Sequence, residues 1–422
     1  MGSSIARRWR ELSGEKNWEG LLEPLDPDLR CYIIHYCERA GAMGDLFNGD
    51  TREPDASKQD FFSKACLVKG NPFKYDVTHF LYAGSNLAAS SWFGYVAVAT
   101  HEGTHALGRR DILVSWRGTK AGTEWLNNAH VYKTSASDIF PIAKGLGAAV
   151  HSGFHSLYTR KTSRSRNKTS ARQQVLDAVR ELVNRHKDEE ISITVTGFSL
   201  GGALATLTAM DIVVNGYNKP TTGNPDKSCM VTAFTYGSPR IGNAKLRSVF
   251  GTLGEHLRLL RIVNKKDHVP KHPSGKILYA HFGKELIVNT SVSNYLERKK
   301  LFGFTIKRND IGSKRKRSED EDEDERRSKR SRKGTDPLDE SEGKSSIREN
   351  PFDSHNMDVY AHGVAIKDIE TNTPVNKLDH DIALVNKHSN RVKEEYNIPK
   401  SWWVGENRKK MLQLENGRWM AV

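Results

Sequence analysis

The sequence predicts an α/β protein in which helices flank a mixed central β-sheet. Short β-branched or apolar runs alternate along the chain with helical stretches, and this alternation is typical of a layered α/β fold. One strand-to-helix transition, at residues 191–214, contains a G-x-S-x-G pentapeptide at its turn. Polar residues suited to chemistry directly follow several predicted strands, as expected where parallel strands place functional groups at their carboxyl ends.

The pentapeptide at residues 197–201 defines the first candidate functional residue. A β-branched run at 191–196 predicts a buried strand before it, and the Ala/Leu-rich stretch 202–214 predicts a helix after it. This is the context of a nucleophile elbow, in which glycines leave space for a serine held on a strained turn. The flanking strand and helix favour this interpretation over a chance pentapeptide, and we predict Ser199 to be a nucleophile.

Upstream of the elbow, hydrophobic periodicity predicts more of the sheet. Residues 92–100 and 111–116 are apolar runs separated by a predicted turn at 101–108, and we expect them to be neighbours in one sheet. The other predicted elements are a weak strand at 75–82, helices at 29–42 (capped by Asp26 or Asp28), 154–159 and 170–186, and a short helix over the site at 123–129.

Downstream of the elbow, residues 230–236 and 257–263 are predicted buried strands. A helix should begin near Ser354 or Asn356, both of which are good capping residues. The remaining predictions are short strands at 277–282 and 285–289, a short helix at 391–396, and a packed tail with Trp402, Trp403 and Trp419.

Composition limits the cellular setting. The 422 residues carry a net charge of +14, which permits an acidic membrane surface as partner, although uneven lysine and arginine on a soluble surface is the simpler interpretation. The N-terminus lacks the apolar core of a signal peptide, and no apolar run is long enough to span a bilayer. The four cysteines form no C-x-x-C pair. We therefore expect a cytoplasmic protein without a cysteine-based metal site.

The chain divides into four regions. Residues 1–90 form a predicted helical region packed on a core at 91–307, which contains the nucleophile. Residues 308–350 are highly charged and are predicted to be a disordered insertion. Residues 351–422 complete the core domain and supply the tail.

The insertion carries two basic clusters, at 314–317 and 326–333, around an acidic run at 319–325. Between Lys314 and Lys333 the pattern resembles a bipartite nuclear localisation signal that importin would bind. A self-neutralising, solvated charge run explains the same residues equally well. Nucleic-acid binding is not predicted, because no aromatic side chains for base stacking are interleaved.

A serine nucleophile needs a histidine base and a carboxylate to orient it. Asp267 is the best carboxylate, because it lies in a loop directly after a predicted buried strand. His355 at a predicted helix start and His362 one heptad later are both candidate bases, and spacing does not choose between them. For the oxyanion, the backbone N–H of Leu200 and the strand-end turn containing Thr119 are the expected donors.

Six motifs follow one another along the chain: Trp116-Arg-Gly-Thr119, His151-Ser-Gly-Phe154, Gly197-Phe-Ser-Leu-Gly-Gly202, Gly237-Ser-Pro-Arg240, Asn264-Lys-Lys-Asp267-His-Val-Pro270 and His355-Asn-Met-Asp-Val-Tyr-Ala-His362. Their order resembles that of class 3 lipases. The segments 5–14, 25–29, 72–75, 94–100, 168–172 and 381–387 look like the plant phospholipase A1 type II group, and this similarity covers nearly the whole chain except the insertion.

The resemblance implies an α/β-hydrolase fold and cleavage of the sn-1 ester of phospholipids without a metal or cofactor. It implies Ser199, Asp267 and His355 as the triad, Thr119 as the oxyanion residue, and Trp125 in the lid region. Two alternatives stay open: a lipase or esterase acting on galactolipids, triacylglycerols or other esters, and a non-catalytic lipid-binding or nuclear regulatory protein. One departure is Phe198, where the family usually has histidine.

Deletion of residues 314–333 tests the nuclear signal. If importin binds these clusters, a fluorescently tagged full-length protein should accumulate in nuclei more than the deleted form, measured as the nuclear-to-cytoplasmic ratio. An unchanged ratio would refute the nuclear signal and leave the solvated charge run.

Overall fold

A seven-stranded mixed sheet forms the centre of the protein. The structure is a computed structural model and describes residues 4–84, 90–119, 132–161, 168–223, 227–274, 278–297, 354–370 and 373–422. The charged insertion at 308–350, with the clusters between Lys314 and Lys333, lies outside the described residues, as do Trp125 and the helix predicted at 123–129.

The described strands are β1 (Tyr75–Ala83), β2 (Ser91–Ala99), β3 (Arg110–Trp116), β4 (Lys133–Ser135), β5 (Ala149–His151), β6 (Ile191–Phe198), β7 (Met230–Tyr236), β8 (Leu257–Asn264), β9 (Lys284–Val288), β10 (Met411–Gln413) and β11 (Trp419–Ala421). The central sheet has the strand order β1-β2-β3-β6-β7-β8-β9. Strands β1, β2 and β3 pair antiparallel, and β3, β6, β7, β8 and β9 pair parallel. Strands β4 and β5 form one small sheet, and β10 and β11 form another.

Helices cover both faces of the sheet. The described α-helices are α1 (Ser4–Leu12), α2 (Pro27–Asp45), α3 (Phe61–Lys64), α4 (His101–Leu107), α5 (Ser152–Thr159), α6 (Ala171–Arg185), α7 (Leu200–Val214), α8 (Ala244–Gly251) and α9 (Met357–Ala365). Among the described residues, no helix is long and apolar enough to cross a membrane.

Side-chain alternation along the strands separates the two apolar layers. In β3, Ile112, Val114 and Trp116 pack with α5, α6, α7 and α8, whereas Leu113 packs with α1, α2 and α9. Because successive strand residues point to opposite faces, one strand feeds both layers. Strands such as β6 are therefore buried nearly throughout, which explains their continuous apolar and β-branched composition.

Most predicted elements are present, and the mixed sheet is confirmed. The capping carboxylate of α2 is Asp26, which accepts a hydrogen bond from the backbone N–H of Leu29 at 3.0 Å. The tail is packed as expected, with the rings of Trp402 and Trp419 4.6 Å apart. The short helix expected at 391–396 is a 3₁₀ turn at Glu394–Tyr396.

Two predictions were wrong. Residues 101–107 form helix α4 instead of a turn, because Thr100 caps its N-terminus and Gly108, at φ +77°, ends it in a left-handed conformation. The strand expected at 277–282 does not form in its described part, residues 278–282, where Ala280 makes only a single bridge to Gly242.

A buried carboxylate ties α7 to two other helices. Asp211, in α7, is fully buried and accepts hydrogen bonds from the guanidinium of Arg172 at 2.6 and 3.0 Å, from the hydroxyl of Tyr158 at 3.0 Å and from the side-chain amide of Asn215 at 2.6 Å. Since Tyr158 lies in α5 and Arg172 in α6, one carboxylate of α7 satisfies donors from two other helices. The helix that follows the elbow is thereby fixed against its neighbours.

Asp211→Ala should lower the free energy of unfolding by about 3–5 kcal/mol, because it leaves a cation and a buried hydroxyl without their acceptor. Urea denaturation measures this loss. The matched control is Asp177→Ala, at an exposed position of α6, which should change stability by about 0.5 kcal/mol or less. Equal losses in the two variants would contradict a tying role for Asp211.

Candidate active site

The turn between β6 and α7 holds Ser199 in a strained conformation. Its φ of 57° and ψ of −125° are unusual for a residue with a side chain. The backbone N–H of Ser199 donates to the carbonyl of Tyr236 at 2.9 Å, and its own carbonyl accepts from Gly202 at 2.9 Å. These bonds fix the turn at the carboxyl ends of β6 and β7, which is the geometry of a nucleophile elbow.

Backbone crowding explains the glycines of the pentapeptide. A Cβ at Gly197 would lie 2.3 Å from the carbonyl oxygen of Gly201, and a Cβ at Gly201 would lie 2.2 Å from the carbonyl oxygen of Trp116. No side chain fits at such distances, so the turn requires glycine at both positions. The second contact also brings the end of β3 against the start of α7.

Asp267 and His355 form a hydrogen-bonded couple beside this turn. The Nδ1 of His355 lies 2.7 Å from Oδ2 of Asp267, which is fully buried. Gly237 connects the couple to the elbow. A Cβ at Gly237 would lie 3.0 Å from both Oδ2 of Asp267 and Cε1 of His355. The preceding residue, Tyr236, accepts the hydrogen bond from the backbone N–H of Ser199. The structure therefore brings all three predicted triad residues to one place.

The hydrogen bonds assign the tautomer of His355. Its Nδ1–H donates to the carboxylate of Asp267, which leaves Nε2 as the nitrogen without a proton. Nε2 is buried and makes no hydrogen bond to the described residues, and only 5% of Ser199 and 9% of the His355 side chain are exposed. A base with a free lone pair therefore lies in a largely buried site.

The alternative base, His362, occupies a different environment. It is completely buried in α9, and its Nε2 lies 2.8 Å from the hydroxyl of Ser293. Burial lowers the pKa of His362 to about 4. His355 contacts Asp267, whereas His362 packs beside Tyr295.

The expected oxyanion donors lie next to Ser199. Leu200 is the first residue of α7, where backbone N–H groups have no partner within the helix. The end of β3 approaches from the other side, since a Cβ at Gly118 would lie 3.4 Å from Cβ of Ser199. Thr119 follows Gly118 directly and is the last described residue before the gap at 120–131.

The sequence interpretation missed two neighbours of the couple. The hydroxyl of Tyr360 donates to Oδ2 of Asp267 at 2.6 Å, so this oxygen binds both Tyr360 and His355. The phenyl ring of Phe198 stacks on the imidazole of His355, with ring centroids 4.4 Å apart and planes inclined by 28°. Their sequence positions could have identified both residues as neighbours of the site. Phe198 directly precedes the nucleophile, and Tyr360 lies in the first turns of the helix that begins after His355.

Tyr360 stays a hydrogen-bond donor across the physiological pH range. Burial, and then the charge of Asp267, raise the pKa of this phenol well above its usual range. The other oxygen of the carboxylate, Oδ1, accepts from the backbone N–H of Val269 at 2.8 Å. Asp267 is thus held by three donors, and its direction toward His355 is fixed.

Among the described residues, no group of three or more histidine, cysteine, aspartate or glutamate side chains could hold a metal ion.

Tyr360→Phe should slow covalent labelling of Ser199 by a soluble fluorophosphonate roughly tenfold, because one charge-assisted hydrogen bond that orients the couple is lost. The labelling rate is measured by quenching and gel fluorescence. Tyr279→Phe is the matched control, because the buried hydroxyl of Tyr279 has no hydrogen-bond partner in the part of the chain that the structure describes. An unchanged rate in Tyr360→Phe would show that the backbone alone orients Asp267.

Comparisons with known proteins give the family of this chain. Residues 113–276 match the family model of class 3 lipases. The chain is 38% identical to phospholipase A1-II 1 of Oryza sativa subsp. japonica, over 99% of this chain and 96% of that protein.

It is also 38% identical to phospholipase A1-IIgamma of Arabidopsis thaliana, over 99% and 93% of the two chains. The crystal structure of Lip2 lipase from Yarrowia lipolytica is similar over 62% of this chain and 80% of that one, with 20% identity and a TM-score of 0.45. The chain belongs to the plant phospholipase A1-II family of class 3 lipases.

Proposed function

We propose that this chain is a serine acylhydrolase that cleaves the sn-1 acyl ester of phospholipids, a phospholipase A1 activity. The observation that carries this proposal is the strained elbow at Ser199 beside the hydrogen-bonded couple of Asp267 and His355. Similarity over nearly the full length to proteins named phospholipase A1-II supports the choice of substrate.

The first step uses the free lone pair on the base. Nε2 of His355 removes the proton from the hydroxyl of Ser199 as the serine oxygen attacks the ester carbonyl. Asp267 holds the imidazole in the required tautomer and stabilises the imidazolium that forms. Phe198 offers its ring face to this developing cation, which is a favourable arrangement in a buried site.

The tetrahedral intermediate places negative charge on the former carbonyl oxygen. The backbone N–H of Leu200, together with the positive end of α7, stabilises that charge, and Thr119 supplies the second donor. His355 then protonates the departing glycerol oxygen, which releases a 2-acyl lysophospholipid. Water, deprotonated by the same histidine, hydrolyses the acyl-serine and regenerates the enzyme.

A phospholipid with distinguishable acyl chains at sn-1 and sn-2 tests the proposal. The full-length protein should release the sn-1 fatty acid preferentially, as measured by mass spectrometry, and Ser199→Ala should lose activity by at least about a thousandfold. Release of the sn-2 chain, or faster hydrolysis of galactolipid or triacylglycerol in parallel assays, would replace the proposed substrate. Failure of a fluorophosphonate to label the intact protein would overturn a serine hydrolase altogether.

The choice of base has its own test. His355→Ala should abolish fluorophosphonate labelling of Ser199, because no other base contacts Asp267 among the described residues. In His362→Ala, protein that remains folded by circular dichroism should keep labelling. Labelling retained in His355→Ala but lost in folded His362→Ala would exchange the two assignments.

A further inference from the structure

A cationic and apolar surface lies beside the candidate active site. We call it the rim surface and define it by three lysines and three apolar side chains. These are Lys265, Lys266, Lys271, Tyr132, Leu278 and Val292.

The lysines come from the loop at 265–274, which directly follows β8 at the carboxyl edge of the sheet. Lys265, Lys266 and Lys271 are exposed, and none forms an ion pair with a carboxylate of the described residues. The single acidic residue of this loop, Asp267, is completely buried and committed to His355 and Tyr360. The exposed charge of the loop is therefore positive only.

The apolar members are unusually accessible for their size. Tyr132 is 67% exposed, Val292 is 56% exposed and Leu278 is 48% exposed. Two of them are linked, since the ammonium of Lys133, the residue after Tyr132, donates to the carbonyl of Leu278 at 3.3 Å. The third belongs to a turn at Thr290–Val292, whose first residue accepts a hydrogen bond from Asn264, directly before the lysine loop.

Hydrogen bonds and one bridge connect these segments to the site. Asn264 donates to the hydroxyl of Thr290 at 2.9 Å and to the carbonyl of Ser354, the residue before His355, at 3.3 Å. On the other side, the loop at 237–242 begins at Gly237 against His355 and ends at Gly242, which bridges to Ala280 near Leu278. Both branches of the surface thus start at the couple itself.

We propose that the rim surface docks on the face of a bilayer that contains anionic phospholipids. Lysine ammonium groups interact with the phosphate and headgroup charges, while Tyr132, Leu278 and Val292 enter the interfacial region of the leaflet. The net charge of +14 adds a long-range attraction of the same sign. The inference rests on the proposed phospholipase function, because only a lipid substrate requires the site to face a bilayer.

Vesicle binding measures the docking independently of turnover. The Ser199→Ala protein, at full length, is sedimented with vesicles of phosphatidylcholine alone or with 30% phosphatidylglycerol. Binding to the anionic vesicles should be stronger and should weaken with salt. Lys265→Glu/Lys266→Glu/Lys271→Glu in this background should lower partitioning to anionic vesicles by more than about tenfold, with little effect on neutral ones.

The matched control reverses three exposed lysines at the opposite edge of the sheet: Lys16, Lys219 and Lys284. Lys284 begins β9, Lys219 follows α7, and Lys16 lies beside the start of β8, where Arg258 bonds the carbonyls of Gly14 and Glu15. Both triple variants change the net charge equally. The control should retain most binding, and an equal loss in both variants would replace the rim surface with unspecific attraction by net charge.

The apolar members have a separate signature. In the Ser199→Ala background, Tyr132→Ser/Leu278→Ser should weaken binding to both neutral and anionic vesicles, because apolar insertion does not depend on headgroup charge. If neither this variant nor the rim lysine variant weakens binding, the proposal is wrong. Since no lipid is hydrolysed in these assays, that result would leave the sn-1 cleavage test unaffected.

Discussion

Backbone packing at the elbow is the constraint on which the site depends. Gly201 lies so close to the carbonyl of Trp116 that the start of α7 and the end of β3 touch without side chains between them. This contact places Gly118 and Thr119 next to Ser199, and it aims the positive end of α7 at the same point. A bulkier residue at position 201 would push the end of β3, and with it the expected oxyanion residue Thr119, away from the nucleophile. The strain at Ser199 persists because β6, β7 and α7 hold it from three directions.

The couple of Asp267 and His355 depends on packing rather than on the chain between them. The two residues are separated by 88 positions, a span that includes the charged insertion. Helix α9 is nevertheless fixed after His355, since Tyr360 and Val364 belong to the apolar layer formed with α2. At Gly363, a Cβ would lie 2.9 Å from side-chain carbons of Val288 and Thr290, so the helix lies directly on the end of β9. Once α9 is docked, added loop length costs little further closure entropy.

Local sequence patterns predicted the features that neighbouring residues determine. They did not predict contacts that depend on packing between distant parts of the chain. The strands on either side of the elbow and the nucleophile came from apolar runs and glycine spacing. Helix α4 was missed because its seven residues carry little apolar periodicity, although its cap at Thr100 and its left-handed Gly108 were readable. Sequence spacing could not choose between His355 and His362, because His355 directly precedes α9 and His362 lies within it. Only the docking of α9 on β9 decides which imidazole contacts Asp267. The contact of Tyr360 with Asp267 across 93 positions depends on the same docking.

Burial of the reacting groups and exposure of the rim surface are linked by electrostatics. Phe198 covers one face of the imidazole with a ring that neither titrates nor hydrogen-bonds, and Asp267 is closed from water on all sides. In such a site the attraction between carboxylate and imidazolium is strong, because few water dipoles screen it. A bilayer bound to Lys265, Lys266 and the apolar side chains beside them would supply the ester to this buried site directly from the leaflet. Little water is present there at the depth of the acyl chains. The exposed lysines of the rim surface therefore attract the membrane, while the apolar ring of Phe198 lies beside the buried histidine that transfers the proton.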